Sequence, residues 1–129
     1  MSEYISALML SSDEGLWKRY CKILERKNYV ILLLPAKQIE RCKQAIREQE
    51  LIILDIPDDK KEWIEIVKTV RKILGEKKPL LVVSNLEAER VAKILNAGAS
   101  DYLRRLENEE PFVAGVTNLM KRYQLDQRQ

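Results

Sequence analysis

Three residues able to do chemistry stand at the ends of apolar runs. Asp55 closes "LIILD", Ser84 closes "PLLVVS", and Arg105 follows "GASDYLR". A fourth feature, "SSDEG", places the hydroxyls of Ser11 and Ser12 and the acids Asp13 and Glu14 directly after "ISALML". A carboxylate where a buried strand stops needs a partner or a task, because an ionised group away from water is costly. Several chemistries are closed to the chain. It contains no histidine, which removes the commonest general base and metal ligand. Cys21 and Cys42 lie in helical patterns rather than at metal-ligand spacing, so they read as reduced thiols and zinc chemistry is excluded. A hydrolase would need a nucleophile beside a base, and none is visible.

The elements that must position these residues alternate. Apolar runs at Ile5–Leu10, Tyr29–Leu34, Leu51–Asp55, Pro79–Asn85 and Asp101–Leu103 read as strands. Between them lie amphipathic stretches. Ser11 or Ser12 is the expected cap of a first helix with Leu16, Tyr20, Ile23 and Leu24 on its apolar face. A second helix carries Ile39, Cys42, Ala45 and Ile46. A third, from about Lys61 to Leu74, carries Trp63, Val67, Val70 and Leu74 and ends at Gly75. A fourth presents Ala88, Val91, Ala92 and Leu95 and ends at Gly98. The last starts near Pro111 and buries Phe112, Val116, Leu119 and Tyr123. This alternation predicts an α/β three-layer sandwich, a parallel sheet covered on both faces. Its binding sites then lie beyond the carboxyl ends of the strands. Asp55, Ser84 and the "SSD" turn all fall there.

The 129 residues fit one domain. A hydrophobic fraction of 46% with 33% charged residues describes a soluble globular chain, and the longest apolar run is too short for a bilayer. No leader-like sequence opens it, so the cytoplasm is the expected location. The net charge of +3 is dispersed. Without a basic stripe or aromatic-basic platform, neither nucleic acid nor membrane is an expected partner.

The order and spacing of "LIILDI", "PLLVVS" and "NAGASDYLRR" resemble the receiver domain of bacterial two-component response regulators, over residues 1–123, with 124–129 as a polar tail. The resemblance implies the flavodoxin-like strand order 2-1-3-4-5. It assigns Asp55 as the position that accepts a phosphoryl group from a histidine kinase and Ser84 as the switch hydroxyl. Tyr102 becomes the switch aromatic, and Arg105 stands where a lysine pairs with phosphoryl oxygens. It also implies a protein partner, a histidine kinase or another regulator, on the surface of the fourth helix, fifth strand and last helix, including Tyr102 and Leu106. A homodimer is compatible with it, and no enzymatic activity is implied.

The departures from that pattern matter as much. Ser11 and Ser12 fill the places of the acidic pair that holds Mg2+, leaving Asp13 and Asp55 at most as metal ligands. Arg105 replaces the lysine, Leu106 the following proline, and Trp63 stands where a glycine is expected. Mg2+ is held by carboxylates and phosphate oxygens, so its binding should be weak and phosphoryl transfer impaired. Arg105 has the planar fork to pair with Asp55 instead. The expectation is a stand-alone, degenerate pseudo-receiver that acts through protein contact. The alternatives are a receiver that still takes phosphate on Asp55, and a flavodoxin-like phosphate or FMN binder using the "SSDEG" turn. Each residue also has a plain structural reading. Ser84 could satisfy a strand-end amide, Tyr102 could be a boundary aromatic, and Asp13 and Glu14 could be first-turn acids. Trp63 could be a core anchor or an exposed contact.

Overall fold

A computed structural model describes the backbone of residues 3–128 and the side chains of residues 3–124. Five strands form one parallel sheet in the order β2-β1-β3-β4-β5. They are β1 (Ile5–Leu10), β2 (Tyr29–Leu34), β3 (Leu51–Asp55), β4 (Leu80–Ser84) and β5 (Asp101–Arg104). The helices are α1 (Glu14–Glu25), α2 (Lys43–Arg47), α3 (Glu62–Leu74), α4 (Ala88–Ala97) and α5 (Glu109–Arg128). α5 thus runs through most of the segment 124–129; Gln129 lies outside the described residues.

The strands are apolar throughout because both sheet faces are covered. Ala7, Met9, Ile53 and Val83 pack against α1 and α5, while Leu8, Leu10, Ile52, Leu54 and Val82 pack against α2, α3 and α4. Every residue of β3 and β4 is buried. The central strands therefore deliver Asp55 and Ser84 to the carboxyl edge of the sheet on a rigid base.

Three local expectations are corrected. The cap of α1 is Asp13, whose side chain accepts from Leu16 N, and not Ser11 or Ser12. The second helical stretch is divided. A 3-10 segment spans Ala36–Arg41, with Gln38 at φ −102° and ψ 19°, and only Lys43–Arg47 is α-helical. Neither piece has a side-chain N-cap, and short helices without caps propagate poorly. Ile39 and Ile46 are buried all the same, so their spacing served packing rather than helix type. Thirdly, α4 is rotated from its expected face. Ile94 is the buried residue, while Ala88, Ala92 and Leu95 are exposed.

The five-residue α2 covers little of the edge strand, leaving Val30 and Leu32 half exposed at 50% and 52%. "YVILLL" has no charge, Gly or Pro to discourage pairing with another chain. Trp17 supplies one protection, because its indole N–H donates to the Ile31 carbonyl at 3.0 Å and occupies an outward acceptor of β2.

Candidate functional site

Asp55 is 2% exposed, one residue before the buried Ile56, whose N–H continues the ladder to the Val83 carbonyl. A carboxylate so placed must be neutralised and hydrogen-bonded, and it is. Arg105 Nε donates to Asp55 Oδ1 at 2.7 Å and Arg105 Nη2 to Oδ2 at 3.1 Å. Ser11 Oγ donates to the same Oδ2 at 2.6 Å. The guanidinium thus binds in the two-pronged geometry that lysine cannot provide. The Asp55 bond is the main cause that raises the Arg105 pKa above its already high value, so the cation is permanent.

The "SSD" turn folds into the same network. Ser11 is 3% exposed and accepts from Asp13 N–H at 2.9 Å while donating to Asp55. Asp13 uses both carboxylate oxygens, Oδ1 for the α1 cap at 3.0 Å and Oδ2 for Arg105 Nη2 at 2.9 Å. Asp13 is more than the first-turn acid its position suggested, for it is also the second carboxylate on Arg105. Ser12 is exposed and takes no part.

Ser84 and Tyr102 lie beside this cluster but are engaged elsewhere. Ser84 is fully buried, and its hydroxyl accepts from Leu86 N–H at 3.4 Å. The Tyr102 hydroxyl donates to the Ser84 carbonyl at 2.8 Å, tying β5 to the β4–α4 loop. Asp55, Arg105 and Ser11 are therefore brought into direct contact, whereas Ser84 meets them through backbone: Arg105 N–H donates to its carbonyl at 3.2 Å. A cleft of about 530 Å³ opens between the β3–α3 and β4–α4 loops, lined in part by Pro57, Asp58, Asn85 and Glu87. Asp55 is not among its lining residues. Trp63 is half-buried against the core, and its indole N–H donates to Asp58 Oδ1 at 2.9 Å, closing the β3–α3 loop.

Two contributors were missed in the sequence. Tyr20, expected only as core, donates its hydroxyl to the Arg105 carbonyl at 2.6 Å. Burial is the main cause that raises its pKa well above the ordinary phenol value, so it remains a donor. The available signal was that a buried tyrosine needs a partner for its hydroxyl. The other is Arg19, whose Nη2 donates to the Glu107 carbonyl at 3.0 Å and for which no signal was available.

These residues do not fit Mg2+. The oxygens of Asp55 carry three donors, both oxygens of Asp13 are in use, and a guanidinium sits between the two acids. Among the described residues, no group of three or more His, Cys, Asp or Glu is arranged to hold a metal ion. The phosphate-cradle alternative meets a similar obstacle, because the Asp13 carboxylate fills the α1 N-terminus that an anion would take.

Asp13 also predicts a pH dependence. The Leu16 N–H bond is the largest of the influences on its carboxyl, and with help from Arg105 it holds the pKa below 3.8. An acid with a depressed folded pKa contributes stability that is present above its unfolded value and lost as pH falls through the folded one. Asp13→Asn should therefore be less stable than the parent at neutral pH. The difference should close as pH falls below about 4, as measured by urea unfolding across the acid range. An unchanging difference would refute the assignment.

Comparison with solved structures gives the class of this architecture. A two-component response regulator from Clostridium difficile superimposes with a TM-score of 0.75 at 24% identity, covering 92% of this chain and 97% of that one. A CheY-like response regulator receiver domain from Methanospirillum hungatei JF-1 gives 0.78 at 19%, covering 96% and 99%. An orphan response regulator of H. pylori gives 0.71 at 18%, covering 90% and 96%. The chain has the receiver fold. No family model and no curated protein matches it. Among the described residues, no helix is long and apolar enough to cross a membrane.

Proposed function

We propose that the chain is a receiver-like signalling protein whose inherited phosphoacceptor, Asp55, is masked by its own Arg105, and that it acts by protein contact rather than by carrying phosphate. The observation that supports this is the occupancy of Asp55: bidentate Arg105 and Ser11 hold a carboxylate only 2% exposed. Phosphoryl transfer needs a free carboxylate oxygen in line with the donor and charge neutralisation around the transferred group. Here the cation is spent on the ground-state acid. The contact surface is the α4–β5–α5 face, with Leu106 69% exposed beside it. Its partner is a protein, either a histidine kinase or another regulator, and the chain catalyses no turnover of its own.

The test is incubation with a small phosphodonor, with and without Mg2+, followed by intact-mass measurement. The expected result is no phosphorylated species in either condition, at donor concentrations that modify an ordinary receiver domain. Mg2+-dependent modification mapping to Asp55 would favour the phosphorylation-competent alternative and overturn the masking.

A further inference from the structure

We infer that α1 is a clamp that keeps Arg105 seated on Asp55, with Tyr20 as its positioning residue; this rests on the masked-acid reading above. Three contacts from α1 and its cap converge on the segment that follows β5. Asp13 Oδ2 accepts from the Arg105 guanidinium at 2.9 Å, the Tyr20 hydroxyl donates to the Arg105 carbonyl at 2.6 Å, and Arg19 donates to the Glu107 carbonyl at 3.0 Å. The first touches the charged group, and the other two fix the backbone from which it hangs.

Tyr20 has the most leverage. It is 1% exposed, and its ring stacks on Phe112 of α5 with centroids 4.4 Å apart and planes at 22°. A ring packed in that way cannot follow a moving loop, so its hydroxyl acts as a fixed post. On the other side of the residue, Arg105 N–H is held by the Ser84 carbonyl at 3.2 Å. With both its amide and its carbonyl fixed, Arg105 reaches Asp55 with little of the ordering cost that a long side chain on a free loop would meet. The dependence runs in both directions: a shift of α1 releases the Arg105 backbone and the Asp13 contact together, and uncovers Asp55. The exposed side of α1 is thereby coupled to access at a buried acid on the neighbouring sheet edge.

The test is NMR measurement of solvent exchange at the Arg105 Nε–H in 15N-labelled protein. In the parent this proton should exchange far more slowly than that of an exposed arginine. Tyr20→Phe removes the hydroxyl and keeps the stacked ring. It should speed the exchange roughly three- to tenfold, the equivalent of one lost hydrogen bond, while the core amides of β1 and β3 stay protected. Val67→Ala opens the core on the other face of the sheet and leaves Tyr20 and its stack untouched, and should change the rate by less than about twofold. Slow exchange in the parent with no change in Tyr20→Phe overturns the clamp alone. An equal rise in Val67→Ala also overturns it, by reducing the effect to general loosening of the core. Fast exchange in the parent overturns the clamp and the masking together.

Discussion

Arg105→Met should lose about 3 kcal/mol of folding stability at neutral pH, because it leaves a buried carboxylate without its counter-charge. Breaking one partner of a fully buried pair costs about 3–5 kcal/mol. The lower end applies here because the Arg105 side chain retains 20% exposure while Asp55 has 2%. Ser11 remains as a donor to Asp55, but one neutral hydroxyl cannot replace a guanidinium. Arg105→Lys should lose less, about 1–2 kcal/mol, since the charge survives and the two-pronged geometry does not. The decisive variant is Asp55→Leu combined with Arg105→Met. Replacing both charges with apolar groups removes the desolvation problem and should return stability to within about 1 kcal/mol of the parent. The remaining deficit belongs to Ser11, which keeps the Asp13 N–H and loses its acceptor, and to Asp13 Oδ2, which loses the Arg105 guanidinium. Urea unfolding of the two single variants and the double variant gives the coupling directly. A loss below about 1 kcal/mol in Arg105→Met would mean that the carboxylate finds another partner, and the masking would have no energetic basis. A double variant as unstable as the sum of the singles would lead to the same conclusion.

The parts of this molecule legible in the sequence are those governed by short-range pattern. Runs such as "LIILD" and "PLLVVS" are apolar on both sides of the chain, and a strand covered on both faces is the economical account of them. The strand order 2-1-3-4-5 then followed from the resemblance, and the sheet has that order. Asp55, Ser84 and Arg105 were placed correctly at the carboxyl edge because strand ends are fixed by the same pattern. The roles of Asp13 and Tyr20 were not legible. Both depend on contacts spanning long stretches of chain, Asp13 to Arg105 over 92 positions and Tyr20 to Arg105 over 85. Local propensity cannot distinguish an N-terminal acid that only caps a helix from one that also bridges to a distant loop. The rotation of α4 escaped for a related reason. Its apolar residues Val91, Ala92, Ile94 and Leu95 surround much of the helix, so the buried side is chosen by the sheet rather than by the pattern. Arg71 shows the same limit most clearly, since nothing in "KTVRKIL" distinguishes it from the neighbouring cations.

Arg71→Met should cost about 3–4 kcal/mol, the second large effect, and it should act at the opposite end of the sheet from Asp55. The guanidinium makes four hydrogen bonds: Nε to Gly98 O at 2.8 Å, Nη1 to Gly75 O and Lys78 O at 2.7 Å each, and Nη2 to Ser100 Oγ at 2.9 Å. Gly75 and Gly98 are the C-terminal caps of α3 and α4, where carbonyls lack helical partners and the helix dipole favours a cation. The partners are neutral, so the group is held by dipoles and fixed geometry. Each charge-assisted bond contributes about 1.5–3 kcal/mol, and the contributions are not additive because one group makes all four. Arg71→Lys should recover little, as a single ammonium cannot span partners on two helix ends and a loop. Gly98 is matched to this arrangement. Its φ is +131°, and a Cβ there would lie 2.9 Å from both Cβ and Cγ of Arg71, so the helix end and the arginine stem fit only without a side chain. Ser100 extends the cluster, since its Oγ accepts from Leu80 N–H and pairs with the Tyr123 hydroxyl of α5 at 2.6 Å. Loss of Arg71 should therefore loosen α4 against β5 and α5, the face proposed to meet a partner. Native-state hydrogen exchange should show amides of residues 88–99 opening before those of β1 and β3, beyond the global loss seen in urea. Uniform weakening without preferential opening of α4 would mean that Arg71 stabilises the whole domain and does not position that face.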